Sequence, residues 1–336
     1  MTDTTVPTPP PWIAEQATQL LAQQGHAWLL HGPSGLGQYR LALALAQAWL
    51  CEALVDGAAC GQCNSCHAIG VRTHADLCVL MPETIMLELG WPLSEKAQVD
   101  IDDKKRKASR EIRVDAMRDA IEFSQRTSAR GRGKVVLVYP AEQMNAITAN
   151  ALLKTLEEPP GDVRFVLATE SAHQLLPTIR SRCLGHAMVW PSDVAAQQWL
   201  LGTGMDALQA QRYLQAAGGR PEDALALQAS GRKAEDWARF PAAMAGGDTS
   251  FVRDWPVAHL VDALQKLCHD TLAAQQGANG RFFDLHMTSR VPTLAALSQW
   301  SRALMHCRKT MEHPFNAGLM QEALVEQARS ALNSAH

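Results

Sequence analysis

Apolar residues fall in short solid blocks along the first half of the chain and at helical spacing along the second. AWLLH (27–31), LCVLM (77–81), VVLVY (135–139), RFVLAT (164–169) and HAMVW (186–190) are each too short for a helix and read as buried strands. Between them lie helical patterns. QYRLALALAQAWLC (38–51) is rich in Leu and Ala, and Val114, Met117 and Ile121 mark one face of a helix near 114–126. Asn145 is placed to cap a helix running to Glu157, with Ala149, Leu152, Leu153 and Leu156 on its apolar side, and Pro159 and Pro160 stop it. Residues 82–111 show no clear period and read as a long loop ending in the charged tract DIDDKKRKASRE. Strands alternating with helices predict a parallel sheet covered on both faces, with ligands beyond the carboxyl ends of its strands. After Pro191 no strand is convincing. Leu, Ala, Gln and Trp recur at helical spacing, as in 291–309 and 316–328, and Gly218, Gly219 and Gly231 punctuate the region.

The length, 336 residues, exceeds one comfortable core. We expect three domains: an α/β domain over 1–190, a small helical domain over 191–231 and an all-α domain over 232–336. With 47% apolar and 19% charged residues the chain reads as globular and soluble. Its net charge of −3 excludes a global basic field, so any nucleic-acid contact must be local. The start, MTDTTVPTPPPW, has neither a basic run nor an apolar one. We therefore expect no signal peptide, no membrane contact and a cytoplasmic location.

One loop carries a contradiction. HGPSGLGQYR (31–40) follows the first strand and fits the phosphate-binding pattern G-x-x-x-x-G-K-[ST] at Gly32 and Gly37, with Gly35 between them. Gln38 then stands where Lys should reach the β- and γ-phosphates, and Tyr39 where a short hydroxyl should bind Mg²⁺. The third strand, which in such an ATPase ends in Asp-Glu, runs here into Tyr139-Pro140-Ala141-Glu142. Two losses of charge at one site predict a nucleotide-binding scaffold without productive ATP or Mg²⁺ binding. A plain strand-to-helix turn is the alternative reading of the loop alone.

Four of the eight cysteines cluster as Cys51-x8-Cys60-x2-Cys63-x2-Cys66. Four soft ligands at C-x2-C spacing suit tetrahedral zinc, and Gly61, Asn64 and Ser65 suit the turns between them. A closed four-thiolate site leaves no position for water, so the role would be structural. Unmetallated thiols remain the alternative, and the upstream cysteine is unusually spaced for an iron–sulfur cluster. His67 and His74 are spare ligands that four thiols make unnecessary. Cys78, Cys183, Cys268 and Cys307 read as small core residues.

Ser181-Arg182-Cys183 ends a short helical stretch thirteen residues beyond Thr169. Arg182 suits a helix C-terminus, where a cation meets free carbonyls. It also suits an arginine finger supplied to a neighbouring subunit's phosphoryl-transfer site.

Together these residues resemble a known family. The four cysteines after the loop helix, ANALLKTLEEPP (149–160) and IRSRC (179–183) are similar to the delta prime clamp-loader subunits of bacterial DNA polymerase III, which belong to the AAA+ proteins. The resemblance runs from Pro11-Trp12 to about residue 326. It implies an ATPase-like domain with a zinc module at 51–66, a helical lid and a helical collar joining five subunits in a ring. It implies gamma/tau and delta subunits as partners, and the sliding clamp and primed DNA reached through the complex. It implies that Arg182, with Ser181, is offered to ATP on an adjacent gamma/tau subunit, with no catalysis by this chain itself inside a nucleotidyltransferase complex. Thr169 falls at the sensor-1 position. In AGGRPEDAL (217–225) Glu222 stands where active relatives carry a phosphate-sensing Arg, with Arg220 two residues earlier. The stretch 84–110 is longer than the family's usual connection, and its KKRK tract (104–107) reads as a solvated charge run. Two other functions stay open: an active gamma/tau-like ATPase with an unusual loop, and a zinc-dependent nucleic-acid-binding protein.

Overall fold

The computed structural model describes residues 9–285, 292–310 and 316–334. The polar start at 1–8 and residue 291 of the expected helical segment 291–309 lie outside these residues. The chain forms two compact units, Met1–Ala195 and Ala196–His336.

The first unit is built on five parallel strands: β1 (Ala27–His31), β2 (Leu77–Leu80), β3 (Lys134–Val138), β4 (Val163–Thr169) and β5 (Leu184–Ala187). Their order across the sheet is β2-β3-β4-β1-β5, and every pairing is parallel. β3 is buried along its whole length, which is why its sequence is a continuous apolar run and not an alternating one. β1 lies between β4 and β5, with Trp28 opposite Val166 on one side and Leu184 on the other. The connections are α1 (Pro11–Leu21), α2 (Gln38–Leu50), α3 (Asn64–Gly70), α4 (Glu83–Glu88), α5 (Glu95–Asp102), α6 (Val114–Gln125), α7 (Ala146–Glu157) and α8 (Pro177–Arg180). Asn145 caps α7 as its sequence requires, accepting a hydrogen bond from the Thr148 N–H at 3.0 Å.

Two expectations need correction. The fifth strand starts at Leu184, two residues before HAMVW, and stops at Ala187 because its partner β1 stops at His31. Beyond it, the Val189 N–H donates to the Gln16 side-chain oxygen of α1 at 2.9 Å, and Val189 and Trp190 remain exposed. Residues 82–111 are not a long loop either: they hold α4 and α5. The cause is Glu83, a buried carboxylate at the start of α4. Both its oxygens accept from the Arg106 guanidinium, one at 2.5 Å and the other at 2.8 Å, and the Ser109 N–H donates to it at 2.8 Å. Against the burial that would raise it, the Arg106 hydrogen bond holds the Glu83 carboxyl below its usual range. Arg106 of the KKRK tract is therefore folded inward, while Lys104, Lys105 and Lys107 face solvent.

A buried pair ties the sheet to the turn before β3. Lys134 is 4% exposed, and its ammonium lies 3.6 Å from Asp76 and 3.9 Å from the centre of the Phe123 ring. Asp76 also accepts from the N–H groups of Ala129 at 2.7 Å and Arg130 at 2.9 Å, and from Ser128 Oγ at 3.1 Å. Desolvation alone would raise the Asp76 carboxyl, but these N–H donors, the Ser128 hydroxyl and Lys134 hold it down.

The second unit is helical throughout its described residues. It contains α9 (Asp193–Gly202), whose first residues precede the boundary, then α10 (Ala207–Ala216), α11 (Pro221–Ala229), α12 (Ala234–Gly246), α13 (Val257–Gln275), α14 (Leu294–Thr310) and α15 (Ala317–Leu332). Asp206 and Gln209 form a reciprocal capping box at the start of α10. One apolar cluster gathers Ala196, Leu200, Met205, Ala210 and Leu214, and a larger one gathers Phe240, Leu260, Leu264, Trp300, Leu304 and Leu324.

Replacing Asp76 by Ala leaves Lys134 as an uncompensated buried charge, so we expect a loss of about 3–5 kcal/mol in urea unfolding. The native carboxyl is depressed. Its contribution is complete above the unfolded value of about 3.9 and is lost as pH falls through the folded one, so wild-type stability should decline in acid more steeply than that of Asp76→Asn.

Candidate functional site

The glycine-rich loop sits at the carboxyl end of β1. The Gly32 N–H donates to the Thr169 carbonyl of β4 at 3.4 Å, and a Cβ on Gly32 would come within 2.9 Å of Met188. Gly35 and Gly37 take φ values of +75° and +92°, which only glycine adopts without strain, and Gly37 opens α2. The loop is a tight glycine turn leading from β1 into α2.

Its side chains are used differently. Gln38 is 3% exposed, and its amide nitrogen donates to the carbonyls of Gly32 at 2.8 Å and Pro33 at 2.7 Å. The residue at the lysine position is thus turned back to tie the loop to itself. The Tyr39 ring stacks on Tyr139 with centroids 5.4 Å apart, and its hydroxyl accepts from the Trp91 indole N–H at 2.7 Å. Burial pushes the Tyr39 phenol above its ordinary value. Glu142, just past the end of β3, accepts from Thr169 Oγ1 at 2.6 Å and from the Glu170 N–H at 2.9 Å. The Glu142 carboxylate and the Thr169 hydroxyl are hydrogen-bonded to each other. Sequence reading missed Trp91 and the direction of Gln38. Trp91 lies 52 positions from Tyr39, and no spacing rule links them.

The four clustered cysteines come together. Their sulfurs all lie within 4.8 Å of one another, with Cys51–Cys66 at 3.7 Å, Cys51–Cys63 at 3.9 Å and Cys60–Cys66 at 4.0 Å. A tetrahedron with metal–sulfur bonds of about 2.3 Å has edges of about 3.8 Å, so the set fits a metal ion. Backbone N–H groups point at the sulfurs: Cys60 N–H to Cys51, Cys63 N–H to Cys60 and Cys66 N–H to Cys63, at 3.3 to 3.4 Å. Such donors stabilise thiolates. The spare histidines stay outside. His67 is exposed, while His74 is fixed by the Asp76 N–H donating to its Nδ1 at 3.0 Å, so its Nε2 faces Ser65 Oγ as a donor at 3.2 Å. Ser65 in turn donates to Glu52, which accepts from Arg130 at 2.8 Å. The thiolate knuckle is anchored to the same turn that Asp76 holds.

Arg182 follows α8 and is partly exposed, its side chain at 30%. Its Nε donates to Glu157 at the end of α7 at 2.6 Å, its Nη2 donates to the same carboxylate, and its Nη1 donates to the Thr178 carbonyl at 2.9 Å. Ser181 Oγ donates to that carbonyl as well, at 3.2 Å. The helix-terminus reading of Arg182 is therefore satisfied within the chain, with Glu157 as a partner that spacing did not reveal. In the second unit, Arg220 pairs with Asp223 at 2.5 Å at the start of α11, and Glu222 lies in the same first turn.

Residues 14–188 match the family described as DNA polymerase III, delta subunit. The chain belongs to that family. Within it, the chain is 38% identical to the DNA polymerase III subunit delta prime of Pseudomonas aeruginosa over 225 residues, which are 66% of this chain and 62% of that one. It is 35% identical to the Escherichia coli delta prime subunit over 225 residues, 65% of this chain and 60% of that one. The match thus spans about three fifths of these relatives' length. A DNA polymerase III gamma subunit-related protein of Thermotoga maritima has the same fold, with a TM-score of 0.50 over 94% of this chain and 98% of that one at 16% identity. The α/β domain with its thiolate insertion and helical C-terminal part is accordingly the AAA+-like arrangement that this family leads one to expect.

Removing the Gln38 amide leaves the Gly32 and Pro33 carbonyls without their donor. We expect Gln38→Ala to cost about 1–3 kcal/mol in urea unfolding, and Gln38→Glu, which brings an acceptor instead, to cost at least as much.

Proposed function

We propose that this chain is an ATP-silent delta prime subunit of a DNA polymerase III clamp loader. It assembles in a hetero-pentameric ring with gamma/tau and delta subunits and helps place the sliding clamp on primed DNA, in the cytoplasm. Residues 191–231 act as the lid and 232–336 as the collar in this reading. The observation that carries it is the Gln38 amide bonded to the loop's own carbonyls, with Tyr39 stacked beside it. A neutral donor already bonded to the loop offers a triphosphate no charge, and a stacked phenol offers Mg²⁺ no short ligand. The chain then contributes to the loader's chemistry through Arg182 and not through its own loop. The guanidinium is held at a partly exposed place by a carboxylate, and a neighbour's phosphate oxygens can replace one anion with another. Ser181 and Thr178 steady the end of α8 beneath it.

Zinc in the four-thiolate site is the structural part of the same proposal. We expect one zinc per chain by elemental analysis, and chelation or Cys63→Ser to lower the melting temperature and loosen residues 51–66. Purified protein without metal and with unchanged stability would contradict the zinc assignment. For the arginine, Arg182→Ala in the assembled loader should lower DNA- and clamp-stimulated ATPase at least about tenfold, within the range of trans arginines, while assembly mass stays unchanged. Arg182→Lys should recover little, since an ammonium lacks the fork geometry. Unchanged turnover in both variants would remove the finger from the mechanism.

A further inference from the structure

We propose that residues 83–111 form a built-in latch that keeps the glycine-rich loop closed to nucleotide, with Trp91 as its contact. This rests on the reading that the chain is ATP-silent and adds a cause to it: the cradle is covered, not only uncharged. Tyr39 occupies the position whose hydroxyl would bind Mg²⁺ in a working loop. That hydroxyl is instead the acceptor for the Trp91 indole N–H at 2.7 Å. On its other side the Tyr39 ring stacks on Tyr139, whose hydroxyl donates to Glu170 at 3.1 Å.

Trp91 is itself fixed. It is 7% exposed, its backbone N–H donates to the Met86 carbonyl of α4 at 2.7 Å, and the Arg72 guanidinium lies 5.8 Å from its ring centroid. Gly90, at φ +69°, lets the chain leave α4 with room for Arg72: a Cβ there would stand 3.2 Å from its Nη1. Behind α4 the Glu83 carboxylate is held by Arg106 and the Ser109 N–H. The contacts form one path, from the inward arginine of the charged tract through Glu83 and α4 to the indole and then to the loop.

A site that binds only when open shows an affinity reduced by the fraction of time it is open, so a latch closed about ten to one weakens binding about tenfold. Restoring charge without opening the latch should therefore fail. The test uses the full chain and a fluorescent N-methylanthraniloyl ATP with Mg²⁺. Wild type and Gln38→Lys should both bind weakly or not at all, and Gln38→Lys with Trp91→Ala should bind at least about tenfold more tightly than Gln38→Lys. In parallel, Trp91→Phe keeps most of the bulk but removes the N–H donor. It should speed amide exchange at residues 34–38 by about tenfold or more. If Gln38→Lys alone binds as tightly as the double variant, lost charge explains the silence and the latch is wrong. A double variant that melts like wild type and still fails to bind refutes it too, as does unchanged exchange in Trp91→Phe should the double variant not fold. Binding by wild type itself would instead overturn the silent reading, and the latch with it.

Discussion

Two hydrogen bonds from one buried amide hold the turn at the carboxyl end of β1. β1 ends between two neighbours, the chain turns sharply into α2, and the Gly32 and Pro33 carbonyls of the loop accept from the Gln38 amide. In an ATPase the residue at this point is a lysine, whose charge reaches the β- and γ-phosphates. Gln38 has no such alternative. Its amide is buried, neutral and already paired, so the loop keeps its shape by being complete in itself. Glu142 and Thr169 repeat the pattern at the ends of β3 and β4, where the hydroxyl donates to the carboxylate.

Elsewhere the first unit is held by a chain of paired polar groups. Asp76 connects Lys134 of β3 to the turn at 128–130, and Arg130 of that turn reaches Glu52 beside Cys51, the first of the four clustered cysteines. The thiolate knuckle thus docks on the sheet through a ladder of charge-assisted bonds, beside the apolar cluster in which Ile69 of α3 meets Leu50 and Val135. A metal ion in this knuckle would order its backbone, and the ladder would pass that order to β3.

How much of this could be read beforehand depended on whether the signal was local. β3 was legible because burial on both faces demands an unbroken apolar run, and α7 because Asn145 and the two prolines mark its ends. The thiolate set was legible because ligand spacing is a property of sequence. By contrast α4 and α5 were hidden. Their apolar faces are thin, and the feature that organises them, Arg106 on Glu83, lies inside a run of like charge that resembles a solvated tail. Tyr39 with Trp91, and Arg182 with Glu157, are pairings between distant positions, and single-residue chemistry cannot announce its partner. The departures at 38 and 39 were visible, but only the folded chain shows that the two side chains are occupied and not merely unsuited.

The outer edge of the sheet has a consequence of a different kind. β5 is only four residues long, carries Gly185 and His186 at its middle, and leaves Leu184 open to solvent. A longer apolar border would invite strands from other molecules to zip on. This one offers too few ladder positions for such a graft to hold, and Gln16 of α1 already engages its histidine at 2.9 Å. Brevity here acts as a safeguard during the interval after synthesis when the polypeptide has not yet found company, keeping an open-sided β-layer from seeding clumps.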